Sequence, residues 1–309
     1  MSFILQDYWN QQVFKGWKES VEMWDKMEYN RDLYRLIKGE KTVIPIRMNQ
    51  TSNKEKSDFR IVFFHANNYD ALSASVDLHN ALMTLTEKEK CKSDKTFPNI
   101  QIILPEYPCY HPFDPKIRTD TEYMVATDSI IDDWCGDLSA FLACNSDIPT
   151  YFVGHSIGTG FASRVACSYA VNHRIEMLLL LAPLISLQNR AEFKASTTSS
   201  MMLSFFFKKE YEYFPIFEMV RTLYRHSNMR KIVVASGSKD TYSSYAAHEF
   251  EYITHDGITV SNTGHNTIAD TASLGLISEY ICLDYDENFR VEGELGAGDA
   301  GGESGGNSD

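Results

Sequence analysis

Tyr151-Phe-Val-Gly-His-Ser-Ile-Gly-Thr-Gly160 decides how the rest of the chain is read. It has the form of a short buried strand, a sharp turn with Ser156 at its tip, and the start of a helix. Gly154-His155-Ser156-Ile157-Gly158 fits the pattern Gly-x-Ser-x-Gly of a nucleophile elbow. So tight a turn strains the serine backbone, and its flanks pass so close to other chain that side chains would clash. Five residues alone carry little weight. Here Ile148-Pro-Thr-Tyr-Phe-Val precedes them and Gly160-Phe-Ala-Ser-Arg-Val-Ala-Cys-Ser-Tyr-Ala follows, which is the strand-turn-helix context the motif demands. The bland alternative is a glycine-rich turn with a bystander serine.

A serine hydroxyl needs a base to take its proton, and the base needs a carboxylate to orient it. In elbow proteins the chain order is serine, acid, histidine. Asp240 fits the acid: it follows Ile232-Val-Val-Ala by the short turn Ser236-Gly-Ser-Lys. His265 fits the base, in Asn262-Thr-Gly-His-Asn266 after Ile258-Thr-Val. Each has an ordinary reading, Asp240 as a turn residue capping the next helix and His265 as a surface histidine. His248 lies inside an expected helix, and His255 precedes the last strand. Asp256 and Asp270 are poorer acids by position. Two backbone donors are needed for an oxyanion. One is expected from Ile157, the other from the loop after an early strand, at Ala66 or Asn67. That loop also suits helix capping by Asn67, Asn68 or Asp70.

Around this stretch, strands and helices alternate over more than 200 residues. Expected strands are Arg60 to His65, Ile100 to Pro105, Glu176 to Pro183, Lys231 to Gly237 and Gly257 to Ser261. Their near-continuous apolar runs predict a mostly parallel sheet with helices on both faces. Upstream, Leu33-Tyr-Arg-Leu-Ile and Thr42-Val-Ile-Pro-Ile-Arg-Met read as two strands joined by a tight turn, with Pro45 marking an edge strand. Leu72, Val76, His79 and Met83 share one helix face, as do Ile131, Trp134, Leu138 and Phe141. Lys88 to Pro98 reads as a charged loop.

Three flanking segments stand out. Residues 1–30 read as an aromatic amphipathic helix, with Phe14, Trp17, Val21 and Trp24 on one expected face. It either docks on the body or touches a membrane surface or partner. Residues 31–290 form the main domain. Within it, an apolar insertion at about 188–228 carries Met201-Met-Leu-Ser-Phe-Phe-Phe207. It either packs over the sheet or forms a lid above the serine, where Met and Phe suit an adaptable apolar pocket. Residues 291–309 are Gly-rich and acidic, a composition that cannot bury a core.

The 309 residues carry a net charge of −13, which argues against general nucleic-acid binding. The six cysteines are scattered, without metal-ligand spacing, and read as reduced thiols of a cytoplasmic compartment. No secretory leader or membrane-spanning run is expected, and no metal or cofactor.

Taken together, the chain resembles the α/β-hydrolase superfamily over about residues 32 to 285. It looks most like the bud-emergence-type hydrolase-domain proteins, whose relatives include protein depalmitoylases. The shared marks are His65-Ala-Asn, Glu106-Tyr-Pro-Cys-Tyr, Gly-His-Ser-Ile-Gly-Thr, Leu181-Ala-Pro-Leu, Gly237-Ser-Lys-Asp and Gly264-His-Asn. The family usually has His-Gly-Asn where Ala66 stands, and Tyr-x-Gly-Tyr-Gly where Cys109 and His111 stand. The cysteine-rich lipidated N-terminus of the depalmitoylases is absent. The resemblance implies an α/β-hydrolase fold with a mostly parallel eight-stranded sheet. Without that N-terminus, the relatives' substrate class is not carried over. The elbow with its ordered partners and the apolar insertion lead instead to the expectation of a serine hydrolase cleaving an ester or thioester of an apolar, lipid-like acyl group, with Ser156, His265 and Asp240 as its triad. A non-catalytic scaffold and a peptidase of the same fold are the competing expectations.

Overall fold

The computed structural model describes residues 35–52, 56–66, 71–92, 97–107, 128–183, 215–240 and 250–290. Eight strands form one sheet: β1 (Arg35–Lys38), β2 (Val43–Gln50), β3 (Phe59–Phe64), β4 (Ile100–Pro105), β5 (Thr150–His155), β6 (Ile175–Leu181), β7 (Met229–Gly237) and β8 (Asp256–Val260). Their spatial order is β1-β2-β4-β3-β5-β6-β7-β8. β2 runs antiparallel to both neighbours, and all other neighbouring pairs are parallel. Every residue of β3, β5 and β6 is buried, as their apolar runs require of strands covered on both faces.

Among the described residues five α-helices cover the sheet: α1 (Ala71–Lys92), α2 (Asp128–Ala143), α3 (Gly158–Ala170), α4 (Ile216–Tyr224) and α5 (Thr271–Tyr285). Side-chain alternation along the strands divides the core in two. Phe152, Leu178 and Leu180 face α2, α3 and α4 through Trp134, Leu138, Phe161, Val165, Val220 and Leu223. Tyr151, Val153, Met177 and Leu179 face α1 and α5 through Leu78, Leu82, Leu274, Ile277 and Ile281.

Three expectations change. Pro45 does not sit on an edge strand, because β2 lies between β1 and β4. Its carbonyl accepts from Glu106 N at 2.9 Å. The N–H and C=O of one strand residue point to the same side, so its missing donor falls just past the last residue of β4. The buried face of α1 is Ala74, Leu78, Ala81, Leu82 and Leu85, while Val76 is exposed. Two neighbouring stripes of that helix fit a three-to-four spacing, and the one with small alanines lies against the sheet. α1 also runs on to Lys92, through the beginning of the supposed charged loop, since Glu and Lys are good helix formers.

The aromatic segment 1–30 and the tail 291–309 lie outside the described residues. So does most of the 188–228 insertion. Its described part includes α4, which buries Ile216, Val220 and Leu223 in the core. Among the described residues no helix is long and apolar enough to cross a membrane.

Candidate active site

Ser156 follows β5 directly and has φ 55°, the left-handed region. Two glycines permit this turn. A Cβ on Gly154 would lie 2.5 Å from the carbonyl oxygen of Gly158, and one on Gly158 would lie 2.2 Å from that of Phe64. Hydrogen bonds fix the turn: Ser156 N donates to Leu181 O at 3.0 Å, and Ser156 O accepts from Thr159 N at 3.1 Å. Thr159 Oγ1 bonds the same carbonyl.

Asp240 and His265 come from the ends of β7 and β8. Lys239 N donates to Thr263 O at 2.8 Å and Ser238 N to Val260 O at 3.0 Å. Asn262 N bonds Ser238 Oγ at 2.8 Å. Gly237 lies so close to the other turn that a Cβ there would be 2.4 Å from Thr263 O. The two turns are therefore one stitched unit. Ala182 N completes the link to the elbow by donating to Ala235 O at 2.7 Å. Backbone bonds thus cross this edge of the sheet from Ser156 through β6 and β7 to β8.

This unit brings the three side chains together. His265 Nε2 is 2.8 Å from Ser156 Oγ, and His265 Nδ1 is 3.1 Å from Asp240 Oδ2. All three are buried, with Ser156 3%, Asp240 4% and His265 7% exposed. With Nδ1–H donated to the carboxylate, Nε2 is left to accept from the serine hydroxyl.

His155 adds a contact that the sequence did not suggest. Its Nε2 is 2.8 Å from the backbone carbonyl of His265. A carbonyl only accepts, so this nitrogen carries a proton and holds the backbone of His265. Burial pushes the His155 pKa down to about 4, against a smaller upward pull from that carbonyl, so the ring stays neutral.

Ile157 occupies the N-cap position of α3 and is buried. An amide there has no acceptor within the helix. Ala66 is buried two residues past β3, close to the elbow, while Asn67 lies outside the described residues. The other candidates go elsewhere. His255 Nδ1 accepts from Ile232 N, Asp270 caps α5 through Ser273 N, and Asp256 accepts from the Tyr280 hydroxyl. His248 lies outside the described residues. Among the described residues no group of three or more His, Cys, Asp or Glu is placed to hold a metal ion.

A family model described as alpha/beta hydrolase fold matches residues 92–270. The chain belongs to this family. Solved structures share the fold at low identity. An esterase from Pyrobaculum calidifontis has a TM-score of 0.56 at 12% identity, covering 81% of this chain and 84% of that one. A soluble variant of monoglyceride lipase from Saccharomyces cerevisiae, in complex with a substrate analog, has 0.54 at 12%, covering 82% and 94%. A carboxylesterase from Nitrososphaera gargenis has 0.52 at 12%, covering 82% and 100%. No curated protein matches the chain in sequence.

Proposed function

We propose that this α/β-hydrolase is a serine hydrolase that cleaves an ester or thioester of an apolar acyl group. The observation that carries the reading is the placement of His265 within hydrogen-bond distance of both Ser156 and Asp240. Ser156 Oγ attacks the acyl carbonyl as Nε2 takes its proton, and Asp240 holds the imidazole in the tautomer that can do so. The resulting oxyanion is met by the amide of Ile157 and one from the Ala66–Asn67 stretch. Collapse of the tetrahedral intermediate breaks the bond to the leaving alcohol or thiol, which receives the proton from His265. Water then attacks the acyl-enzyme as His265 takes its proton; collapse breaks the bond between the acyl carbon and Ser156 Oγ, which receives that proton from His265, and the acid product leaves.

The names of the structural neighbours, an esterase, a carboxylesterase and a lipase, fit an ester substrate. The apolar acyl preference rests on Met201-Met-Leu-Ser-Phe-Phe-Phe207. The closer kinship proposed with bud-emergence-type proteins rests on the quoted motifs.

The test is labelling with a fluorophosphonate, together with turnover of p-nitrophenyl esters of rising chain length, a thioester and an aminopeptidase substrate. Wild type should label and favour medium or long acyl esters. Ser156→Ala should not label and should lose at least about a thousandfold in kcat. Equal labelling of the two, or none of either, refutes the reading. Preference for the aminopeptidase substrate would make the protein a peptidase of the same fold.

A further inference from the structure

We propose that His155 is the positioning residue that keeps the base His265 in place while Ser156 carries the acyl group. The inference rests on the reading of Ser156 as nucleophile. β5 and β8 are separated in the sheet by β6 and β7, so they lie about 14 Å apart. His265 follows β8 and yet meets Ser156 at the end of β5. The loop that carries it therefore reaches back over two strands. Its own bonds shape it without spanning that gap. Gly264 N donates to Thr267 Oγ1 at 2.7 Å, and Gly264 O accepts from Ile268 N at 3.2 Å. Lys239 N donates to Thr263 O, which ties the loop to the end of β7. Asp240 also belongs to that end, so its contact with His265 Nδ1 orients the ring without setting its distance from the elbow.

A bond across the gap comes from the residue before the nucleophile. His155 Nε2 is 2.8 Å from the carbonyl oxygen of His265, and both residues are buried. The carbonyl accepts, so Nε2 carries the proton and Nδ1 of this neutral ring does not. The two rings stand 5.9 Å apart. A closed circuit results. It runs from Ser156 through its peptide to His155, across Nε2–H to the His265 backbone, and from the His265 ring back to Ser156 Oγ at 2.8 Å.

The last link of that circuit is the one the chemistry removes. Once Oγ is bonded to the acyl carbon, it has no proton to donate to Nε2 of His265. Deacylation still needs that nitrogen in place. The oxygen of water bonds to the acyl carbon as Nε2 takes one of its protons, and the bond from carbon to Oγ then breaks as Oγ takes that proton back. The link from His155 to the His265 carbonyl persists throughout, because neither of its atoms takes part in the reaction. It holds the base at the stage when the serine cannot, so its loss should slow deacylation more than acylation.

The test follows p-nitrophenol release from p-nitrophenyl butyrate by wild type, His155→Phe and His155→Gln from the first turnover onward, with thermal unfolding of each. His155→Phe keeps the ring and loses both nitrogens. It should release close to one p-nitrophenol per folded molecule in a burst, then run about ten- to a hundredfold below wild-type kcat, with kcat/KM within about fivefold. His155→Gln, whose amide restores an N–H near Nε2, should recover kcat to within about fivefold of wild type. Three outcomes overturn the proposal and leave the nucleophile reading standing: a folded His155→Phe with wild-type kcat, an equal fall in kcat and kcat/KM, or a His155→Gln no better than His155→Phe. Should His155→Phe not fold, the imidazole 15N spectrum of the wild type decides. His155 protonated on Nε2 in both the free and the fluorophosphonate-labelled protein supports the proposal, and an unprotonated Nε2 in either overturns it. A wild type that neither labels at Ser156 nor turns over refutes the nucleophile reading and this proposal with it.

Discussion

Ser156 holds a backbone conformation that costs a non-glycine residue on the order of 1–3 kcal/mol, and its surroundings over-determine it. Gly154 and Gly158 remove the side chains that would block it, and Leu181 and Thr159 bond its backbone. His155, one residue earlier, has a measurable consequence of its own. Burial, first of all, pushes its pKa down to about 4, against about 6.5 in the unfolded chain. Between these values the unfolded chain binds a proton that the folded protein refuses. Stability therefore falls as pH drops from about 6.5 to about 4, by up to roughly 3 kcal/mol, and this contribution then levels off. Urea midpoints at pH 7, 5.5 and 4 should show the decline. His155→Gln keeps an N–H donor without titrating, so its decline should be shallower. Parallel slopes for the two proteins would rule the assignment out.

The hairpin of β1 and β2 is closed by a side chain from far along the chain. Asp137 on α2 accepts from the backbone amides of Glu40, Lys41 and Thr42 and from the Thr42 hydroxyl. Gly39 leaves it room, since a Cβ there would lie 2.2 Å from Asp137 Cγ. Partial burial pushes this carboxyl's pKa up, but the Thr42 hydroxyl and the three amides together outweigh it and hold it below the ordinary range. Its stabilisation is present above the unfolded value of about 3.9 and is lost as pH falls through the lower folded value. Asp137→Ala should lower unfolding stability at pH 7 by about 2–3 kcal/mol, measured in urea, while the rate of Ser156 labelling stays the same. The turn itself was legible in Lys38-Gly-Glu-Lys, because turn chemistry is local. Its clamp was not, because nothing near residue 40 names a partner at 137. The misplaced α1 face has a similar cause: periodicity gives a stripe, and only packing picks between neighbouring stripes.

Across the whole molecule, the two ends of the parallel strands are held differently. At the starts of β6 and β7, Arg230 bonds Glu176 at 2.9 Å and also Asp284 near the end of α5, with Lys231 3.5 Å from Asp284. Tyr151 at the start of β5 donates to Asp284 at 3.3 Å. Asp284 is 5% exposed, so its loss leaves a partly buried guanidinium short of a counter-charge. Asp284→Ala should cost about 2–4 kcal/mol in urea unfolding, yet leave turnover at 25 °C unchanged. A fall in kcat at full folding would show that the two ends are coupled. The opposite end was largely readable, because Ser156, Asp240 and His265 each follow a strand that its own apolar run announces. The contact of His155 with the His265 carbonyl was not, since it joins separate strand ends.

The backbone bonds from Ser156 to Leu181, Ala182 to Ala235 and Ser238 to Val260 tie the site to the register of the strands beneath it. A slip of β6 against β7 by two residues preserves which side chains face each layer, and both strands are apolar enough to tolerate it. Yet it would carry Asp240 and His265 about 7 Å away from the serine. On the proposed serine-hydrolase reading, such a molecule would be helical, sheeted and cooperative in melting, but inert. A covalent probe of Ser156 thus counts correctly registered molecules, and its shortfall against the folded fraction measures a kind of misfolding to which circular dichroism is blind.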